Sequence, residues 1–298
     1  MTDMKEQAHL VIGADSLVGS SLIEALRERG HRVFGTTRRK ETLTADRLFF
    51  DFEDPTPPEF PDAVAYVHVV AAATDYARCA ARPECHAINT VHTPRMVEAL
   101  LRRGFFVSFI SSNSVFGGDR PWPHEDAPHD ARFPYAVQKS LAEEGVRQAA
   151  RNCQAEQSLA IIRLTKVMDA SSSPLPAWFE SWRQGQPVQP FADLTFAPVS
   201  RRFAANSLAA IAEKKVAGAL HVSGAENVTY VDFAHILAKT LGVDPRLIVP
   251  TTAVAKGVDI PFKPRFSGLG MTRTTACTGL HPQPVDEVVK DILLSASL

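Results

Sequence analysis

The chain has 298 residues, long enough for one large domain or two modest ones. A formal net charge of −1 gives no electrostatic reason to expect nucleic acid or an anionic membrane as partner, and no apolar run approaches the ~20 residues of a membrane span. Residues 1–7 are polar and contain acids, unlike a signal peptide. Cys79, Cys85, Cys153 and Cys277 have neither metal-ligand nor redox spacing, so reduced thiols in a cytoplasm, and no metal, are the expectation.

Ala8 to Ile12 reads as a first strand. It ends in Gly13-Ala14-Asp15-Ser16-Leu17-Val18-Gly19 and leads into an amphipathic helix with Leu17, Val18, Leu22, Ile23 and Leu26 on one side, stopped by Gly30. Arg32 to Thr36 is the second strand. Strand, glycine loop, helix and strand in this order are the context of a dinucleotide fingerprint. Gly13 allows the tight turn, Gly19 lets the helix pack close, and the helix N-terminus points N–H groups at a pyrophosphate. Asp15, Ser16 and Leu17 lie between the glycines and are assigned to the same site. Thr37 stands where NAD sites usually carry Asp or Glu, and Arg38, Arg39 and Lys40 follow it. With nothing acidic there to repel a 2′-phosphate, NADP(H) is expected over NAD(H).

Arg47 to Phe50 is a short third strand, closed by Asp51-Phe52, where Asp51 is an adenine contact or a turn cap. Pro55, Pro57 and Pro58 mark a loop. Ala63 to Val70 forms a fourth strand, and the small Ala71, Ala72 and Ala73 after it let the chain pass close to a cofactor. A helix is predicted from Pro83 to Arg103, with Pro94 kinking it. Asn89 on that helix either serves the active-site backbone or is exposed.

Phe105 to Ile110 is a buried strand running into Ser111-Ser112-Asn113-Ser114. A proline-containing loop, 117–134, precedes a helix that opens with Tyr135-Ala136-Val137-Gln138-Lys139. Tyr135 and Lys139 share a helix face at i and i+4 and project toward the strand end that carries Ser112. A phenol, an ammonium and a hydroxyl around one point suit carbonyl reduction. The expectation is that Lys139 lowers the pKa of Tyr135, which then transfers a proton, while Ser112 holds the substrate oxygen.

Ser158 to Leu164 is the sixth strand. Alternation of β and α over the first ~165 residues means a doubly wound parallel sheet, α/β in class, with ligands at the carboxyl ends of its strands. Gly13, Ala72, Ser112 and Thr165 all fall at strand ends. Beyond Thr165, Ser171 to Pro174 is a linker, Pro176 to Gln184 a short helix, and Ser200-Arg201-Arg202 either a nucleotide-diphosphate contact or a solvated turn. Ser207 to Lys215, Tyr230 to Leu241 and Asp286 to Leu294 read as helices. Residues 1–167 are assigned to the dinucleotide-binding domain, with about 186–218 returning to it. Residues 168–298 are assigned to a smaller, interleaved substrate lobe.

These residues resemble an extended short-chain dehydrogenase/reductase, and within that group the chain is similar to dTDP-4-dehydrorhamnose reductases and related sugar-nucleotide enzymes. The carriers are the loop Gly13 to Gly19, Ala71 to Ala73, Asn89, Ile110 to Gly117, Tyr135 to Lys139 and Arg163-Leu164, with Gly218 to Gly224 and Lys263 to Leu269 pointing to the reductase branch. The resemblance implies NADPH-dependent reduction of a 4-keto-6-deoxy sugar nucleotide, with Tyr135 as proton donor, Lys139 tuning it and Ser112 orienting the carbonyl. Asn89, Asp51 and Phe52 join the cofactor contacts, and Asn113, Lys166, Arg201 and Arg265 the substrate contacts. A homodimer through the helices from Pro83 and Tyr135 is implied as well. Three departures stand out: Ser16 replaces the middle glycine of the loop, Asn113 replaces an acid, and Lys166 replaces an aromatic residue. An NAD(P)-dependent epimerase and a non-catalytic NADP-binding regulatory subunit are the alternatives.

Overall fold

The structure is a computed structural model that describes residues 7–53, 57 and 59–296. Pro55 and Pro58 of the expected loop, and residues 1–6, lie outside the described residues.

Strand β1 (Ala8–Ile12) leads through the glycine loop into helix α1 (Leu17–Glu28), and β2 (Val33–Thr37) and β3 (Arg47–Phe49) follow. β4 (Val64–Val69) precedes two short helices, α2 (Tyr76–Ala81) and α3 (Pro83–Ala87), and then α4 (Thr93–Arg102). β5 (Phe106–Ser112), α5 (Pro134–Asn152) and β6 (Leu159–Leu164) complete the first half. The second half contains β7 (Lys166–Met168), α6 (Leu175–Arg183), β8 (Thr195–Phe196), β9 (Pro198–Ser200) and α7 (Arg201–Glu213). It ends with β10 (Gly218–Val222), β11 (Val228–Thr229), α8 (Tyr230–Leu241), α9 (Thr272–Thr278) and α10 (Val285–Ser295).

Seven strands form one parallel sheet in the order β10-β6-β5-β4-β1-β2-β3. The order reverses at β1 and β4, and that switch point is where a doubly wound sheet opens a ligand crevice. Both faces are covered. Met96, Val97 and Leu100 of α4 and Ala142 and Val146 of α5 pack on one face. Leu22 and Leu26 of α1 and Leu208, Ile211 and Ala212 of α7 pack on the other. A third core, around Trp178, Trp182, Phe196, Phe233, Leu237 and Val288, builds the C-terminal lobe. Thr229 and Asp232 start α8 with a reciprocal capping box.

Two of the expected helices differ from the sequence reading. The helix expected over 83–103 is broken by a wide five-residue π-turn, Ile88–His92, in which the Thr93 N–H donates to Ile88 O. Pro94 has no N–H for a regular bond and its ring would strike the carbonyl four residues back, so the turn widens just before it. Helix α7 starts at Arg201, six residues ahead of the expected Ser207, because the Ser200 hydroxyl caps it by accepting the Phe203 N–H at 3.0 Å. Of the later chain, α7 packs on the sheet and β10 joins its edge, while Val188 and Phe191 bridge to Ile248 and Thr251.

Candidate active site

A cleft of about 430 Å³ opens beyond the ends of β1 to β4, lined by Gly13, Ser16, Thr37, Phe50, Asp51, Phe52 and Ala71 to Ala73, among others. Gly13 turns with φ +96°, and a Cβ there would sit 2.7 Å from Ala71 Cβ; one on Gly19 would overlap the Gly13 carbonyl. The Ser16 side chain is folded into the loop, donating to Gly13 O at 2.8 Å and accepting the Gly19 N–H at 3.0 Å as the N-cap of α1. The extra Cβ is thus accommodated by capping. Leu17 is the first residue of α1 and brings its backbone to the cleft end of the helix. Tight glycines, small strand-end residues and a helix N-terminus facing the cleft fit a dinucleotide pyrophosphate. Asp51 caps its turn, its Oδ1 accepting the Glu53 N–H at 3.2 Å, and it also lines the cleft.

The end of β2 corrects one expectation. No acid follows Thr37 in sequence, yet the Asp15 carboxylate arrives there from the glycine loop. It accepts the Thr37 hydroxyl at 2.7 Å, lies 2.9 Å from Arg39 Nη2 and pairs with Arg47. Arg38 lines the cleft and makes no ion pair among the described residues. Asn89 lies behind the cleft wall: it accepts the Ala73 N–H at 3.0 Å, donates to Ala73 O at 3.0 Å, and donates to Gln138 Oε1 at 2.9 Å. Presented by the π-turn, it clamps the strand end from which the cleft wall is made.

Ser112, Tyr135 and Lys139 come together at the end of β5. The Lys139 ammonium donates to Ile110 O at 2.7 Å and lies 4.4 Å from the Phe109 ring centroid. Tyr135 packs with Phe133, Cys79, Cys85 and Ala136, and the Tyr76 ring lies 5.2 Å away. The expected depression of the Tyr135 pKa is overturned. Burial pushes the phenol above its ordinary value, Tyr76 adds to the rise, and a hydrogen bond with Ser112 opposes it. Burial lowers the Lys139 amine itself to about 8, against an opposing pull from Glu143.

Beneath these residues lies a polar network that sequence reading missed. Arg163, on β6, is 1 % exposed and grips the buried Glu143 carboxylate with Nε at 2.9 Å and Nη2 at 2.8 Å. Its Nη1 donates to Glu125 O at 3.0 Å. The same Nη1 lies 3.0 Å from His221 Nε2; His221 Nδ1, 2.7 Å from the Gly270 carbonyl, carries the ring proton and leaves Nε2 to accept. The one signal available was Glu143 at i+4 from Lys139, repeating the spacing of Tyr135 and Lys139.

The expected substrate residues divide. Asn113 donates to Ser267 O at 2.9 Å and so ties the end of β5 to the C-terminal segment. That segment also holds Arg265, which is exposed, and it runs along the 117–124 loop through Phe266 N–H to Gly118 O at 2.8 Å and Gly270 N–H to Pro123 O at 2.9 Å. Lys166 is exposed on β7, just past the end of β6. Arg201 is not brought to this group. It lies in a separate groove with Ser200, Glu24 and Asp291, 3.8 Å from Asp169 and 3.7 Å from Glu24.

Similar folds are known. The dTDP-4-dehydrorhamnose reductase of Yersinia enterocolitica superposes with a TM-score of 0.78 at 18% identity, covering 96% of this chain and 99% of that one. The Bacillus anthracis dTDP-4-dehydrorhamnose reductase in complex with NADP superposes at 0.81 with 15% identity, covering 98% and 100%. A probable low-salt glycan biosynthesis reductase of Haloferax volcanii is 28% identical over 290 residues, 93% of this chain and 94% of its own length. The fold is that of these reductases. Residues 7–297 match the RmlD substrate binding domain, and the chain belongs to that family.

Proposed function

We propose that the chain is an NADPH-dependent oxidoreductase that reduces a keto group on a sugar nucleotide of the 4-keto-6-deoxy type. The observation that carries this reading is the meeting of Ser112, Tyr135 and Lys139 at the end of β5, beside a cleft shaped for a dinucleotide. The solved relatives support it through a reductase holding NADP and through MoeE5, which holds UDP-glucose and NAD (22% identity, TM-score 0.77). The family match and the Haloferax reductase support it in sequence.

When bound, the cofactor supplies the hydride. Tyr135 is a phenol at neutral pH, as any tyrosine is, and burial disfavours its anion further, so it stands ready to give its proton to the substrate oxygen. Ser112 holds that oxygen by hydrogen bonding. Lys139, anchored on Ile110 O, keeps a positive charge close to where negative charge develops. Gly13, Ser16 and Leu17 hold the pyrophosphate end, Asp51 and Phe52 the adenine end, and Arg38 favours a 2′-phosphate. Asn113, Lys166 and Arg265 face the substrate side in this reading.

NADPH consumption with a panel of 4-keto-6-deoxy nucleotide sugars tests it: one sugar hydroxyl should appear per NADPH oxidised. Isomerised sugar with no net NADPH loss marks an epimerase, and tight NADPH binding without turnover marks a regulatory subunit. The four cysteines are all free, which supports a reducing compartment such as the cytoplasm. Among the described residues no helix is long and apolar enough to cross a membrane. Val91, Val137 and Leu141, exposed by 38%, 42% and 47%, support self-association through the π-turn and α5. Sedimentation should show a dimer at tens of micromolar, where an association of about −7 kcal/mol remains visible.

A further inference from the structure

The Asp15 carboxylate bridges three elements at the adenosine end of the cleft. It takes the Thr37 hydroxyl from the tip of β2 at 2.7 Å, Arg39 at 2.9 Å, and Arg47 from the start of β3. Asp15, Arg38, Arg39 and Asp51 line one shallow recess there. Arg47 Nε is buried with no hydrogen-bond partner among the described residues, so this guanidinium keeps an unspent donor beside the carboxylate. In a doubly wound sheet the ribose lies at the tip of the second strand, and an acid at that point accepts its 2′-hydroxyl. Here the sequence puts threonine and arginines at the tip, and the fold delivers the acid from the glycine loop 22 residues earlier.

The two chemistries at this point oppose each other. Arginines grip a 2′-phosphate in bidentate fashion. A carboxylate between them repels that phosphate and already pairs with Arg39 and Arg47, leaving Arg38 without an ion pair among the described residues. We propose that Asp15 sets the cofactor selectivity: its carboxylate receives the ribose hydroxyls of NAD(H) and holds Arg39 and Arg47 back from the 2′-phosphate, so that the chain accepts both dinucleotides. The inference rests on the reductase reading above and names the residue that limits its preference for NADPH.

The experiment is direct binding by titration calorimetry, without turnover, of NADPH, NADH, adenosine 2′,5′-bisphosphate and 5′-AMP to the full chain and to Asp15→Asn. The amide retains the shape and can still accept from Thr37, and thermal unfolding checks that the variant is folded. In the unmodified chain the two dinucleotides should bind within about tenfold of each other. In Asp15→Asn the ratio favouring NADPH should rise at least tenfold, and the bisphosphate should gain over 5′-AMP in the same proportion. Arg47→Gln made on top of Asp15→Asn should reverse most of that gain. Equal tightening of both dinucleotides would place the effect on the pyrophosphate and overturn the proposal, as would an unchanged ratio. If the unmodified chain binds neither dinucleotide, the reductase reading itself fails and the proposal falls with it.

Discussion

Tyr135 lies 8% exposed among Phe133, Cys79 and Tyr76, and burial raises its pKa. The phenol is therefore the stable form throughout the neutral range, which suits an acid that must arrive protonated. The group that changes charge near neutrality is Lys139, lowered to about 8 chiefly by burial. Being depressed, it is an ammonium below about pH 8 and loses that charge as the pH rises through this value. The rate of hydride transfer should accordingly fall above about pH 8, and the fall should belong to Lys139. Lys139→Met should lower the rate and flatten the alkaline limb. Tyr135→Phe should cost about 10²–10⁴-fold at every pH, the usual worth of a positioned general acid. Ser112→Ala, which removes orientation but leaves the proton, should cost less. Single-turnover measurements against pH separate the three. A limb unmoved in Lys139→Met would return the titration to Tyr135, and full activity in Tyr135→Phe would remove it as proton donor.

Among the elements, those bounded by local chemistry were legible. β1, β2, β4, β5 and β6 are apolar runs ended by small residues, and the i, i+4 spacing of Tyr135 and Lys139 could be read before the fold was known. What failed had its cause elsewhere in the chain. Ser200-Arg201-Arg202 looks like a polar turn, but Ser200 is a cap, and Arg201 faces Glu24 and Asp169 from distant elements. Glu143 would read alone as a solvated charge and Arg163 stood only as part of a family motif, and only the packing of α5 on β6 buries them together. Asp15 and Arg47 are 32 residues apart, so the acid among the arginines was invisible. Pro94 announced an interruption but not its form, a π-turn that points Asn89 inward. That turn gives a test. Asn89→Ala removes the partner of the half-buried Ala73 N–H and leaves its C=O only the Cys79 thiol at 3.4 Å, and a polar group left unpaired on burial costs about 1–3 kcal/mol. The variant should melt several degrees lower and bind the dinucleotide more weakly. Unaltered cofactor affinity in a folded Asn89→Ala would mean that the strand end holds its shape without the clamp.

At the scale of the whole molecule, two buried polar clusters pin the sheet to its surroundings. Arg163 joins β6 to Glu143 of α5, to the Glu125 carbonyl and to His221 of β10, while Glu125 Oε1 accepts the Arg273 and Thr274 N–H groups at 2.8 and 3.1 Å. Arg163→Met would leave the buried Glu143 paired with His129 and Arg147 alone among the described residues, with Lys139 one turn away, and breaking such a pair costs about 3–5 kcal/mol. The second cluster lies on the face covered by α1 and α7. His9 Nδ1 and His68 Nε2 are 3.0 Å apart, and both residues are fully buried. Around them stand Tyr66, stacked on His9, Lys215 over the Tyr66 ring, and His31, which pairs with Glu213 at 2.9 Å. Burial, then His68 and then His31, lowers His9 to about 2, and burial lowers His68 to about 3. Both are held neutral in the fold and protonate freely once unfolded, near pH 6.5. Their contribution is therefore complete above that pH and is lost as the pH falls below it, at about 1.4 kcal/mol per pH unit for each group. At pH 5 each should have withdrawn about 2 kcal/mol. His221, lowered to about 3 chiefly by burial, adds to the same slope. Urea midpoints measured between pH 7.5 and 5 should fall steeply in the unmodified chain. In His9→Gln/His68→Asn, which cannot titrate here, the slope should shrink by about two protons whatever the starting stability, leaving the share of His221. A double variant that keeps the full slope would show that the acid sensitivity lies outside this pair, and that the two rings are charged or hydrated in the native state.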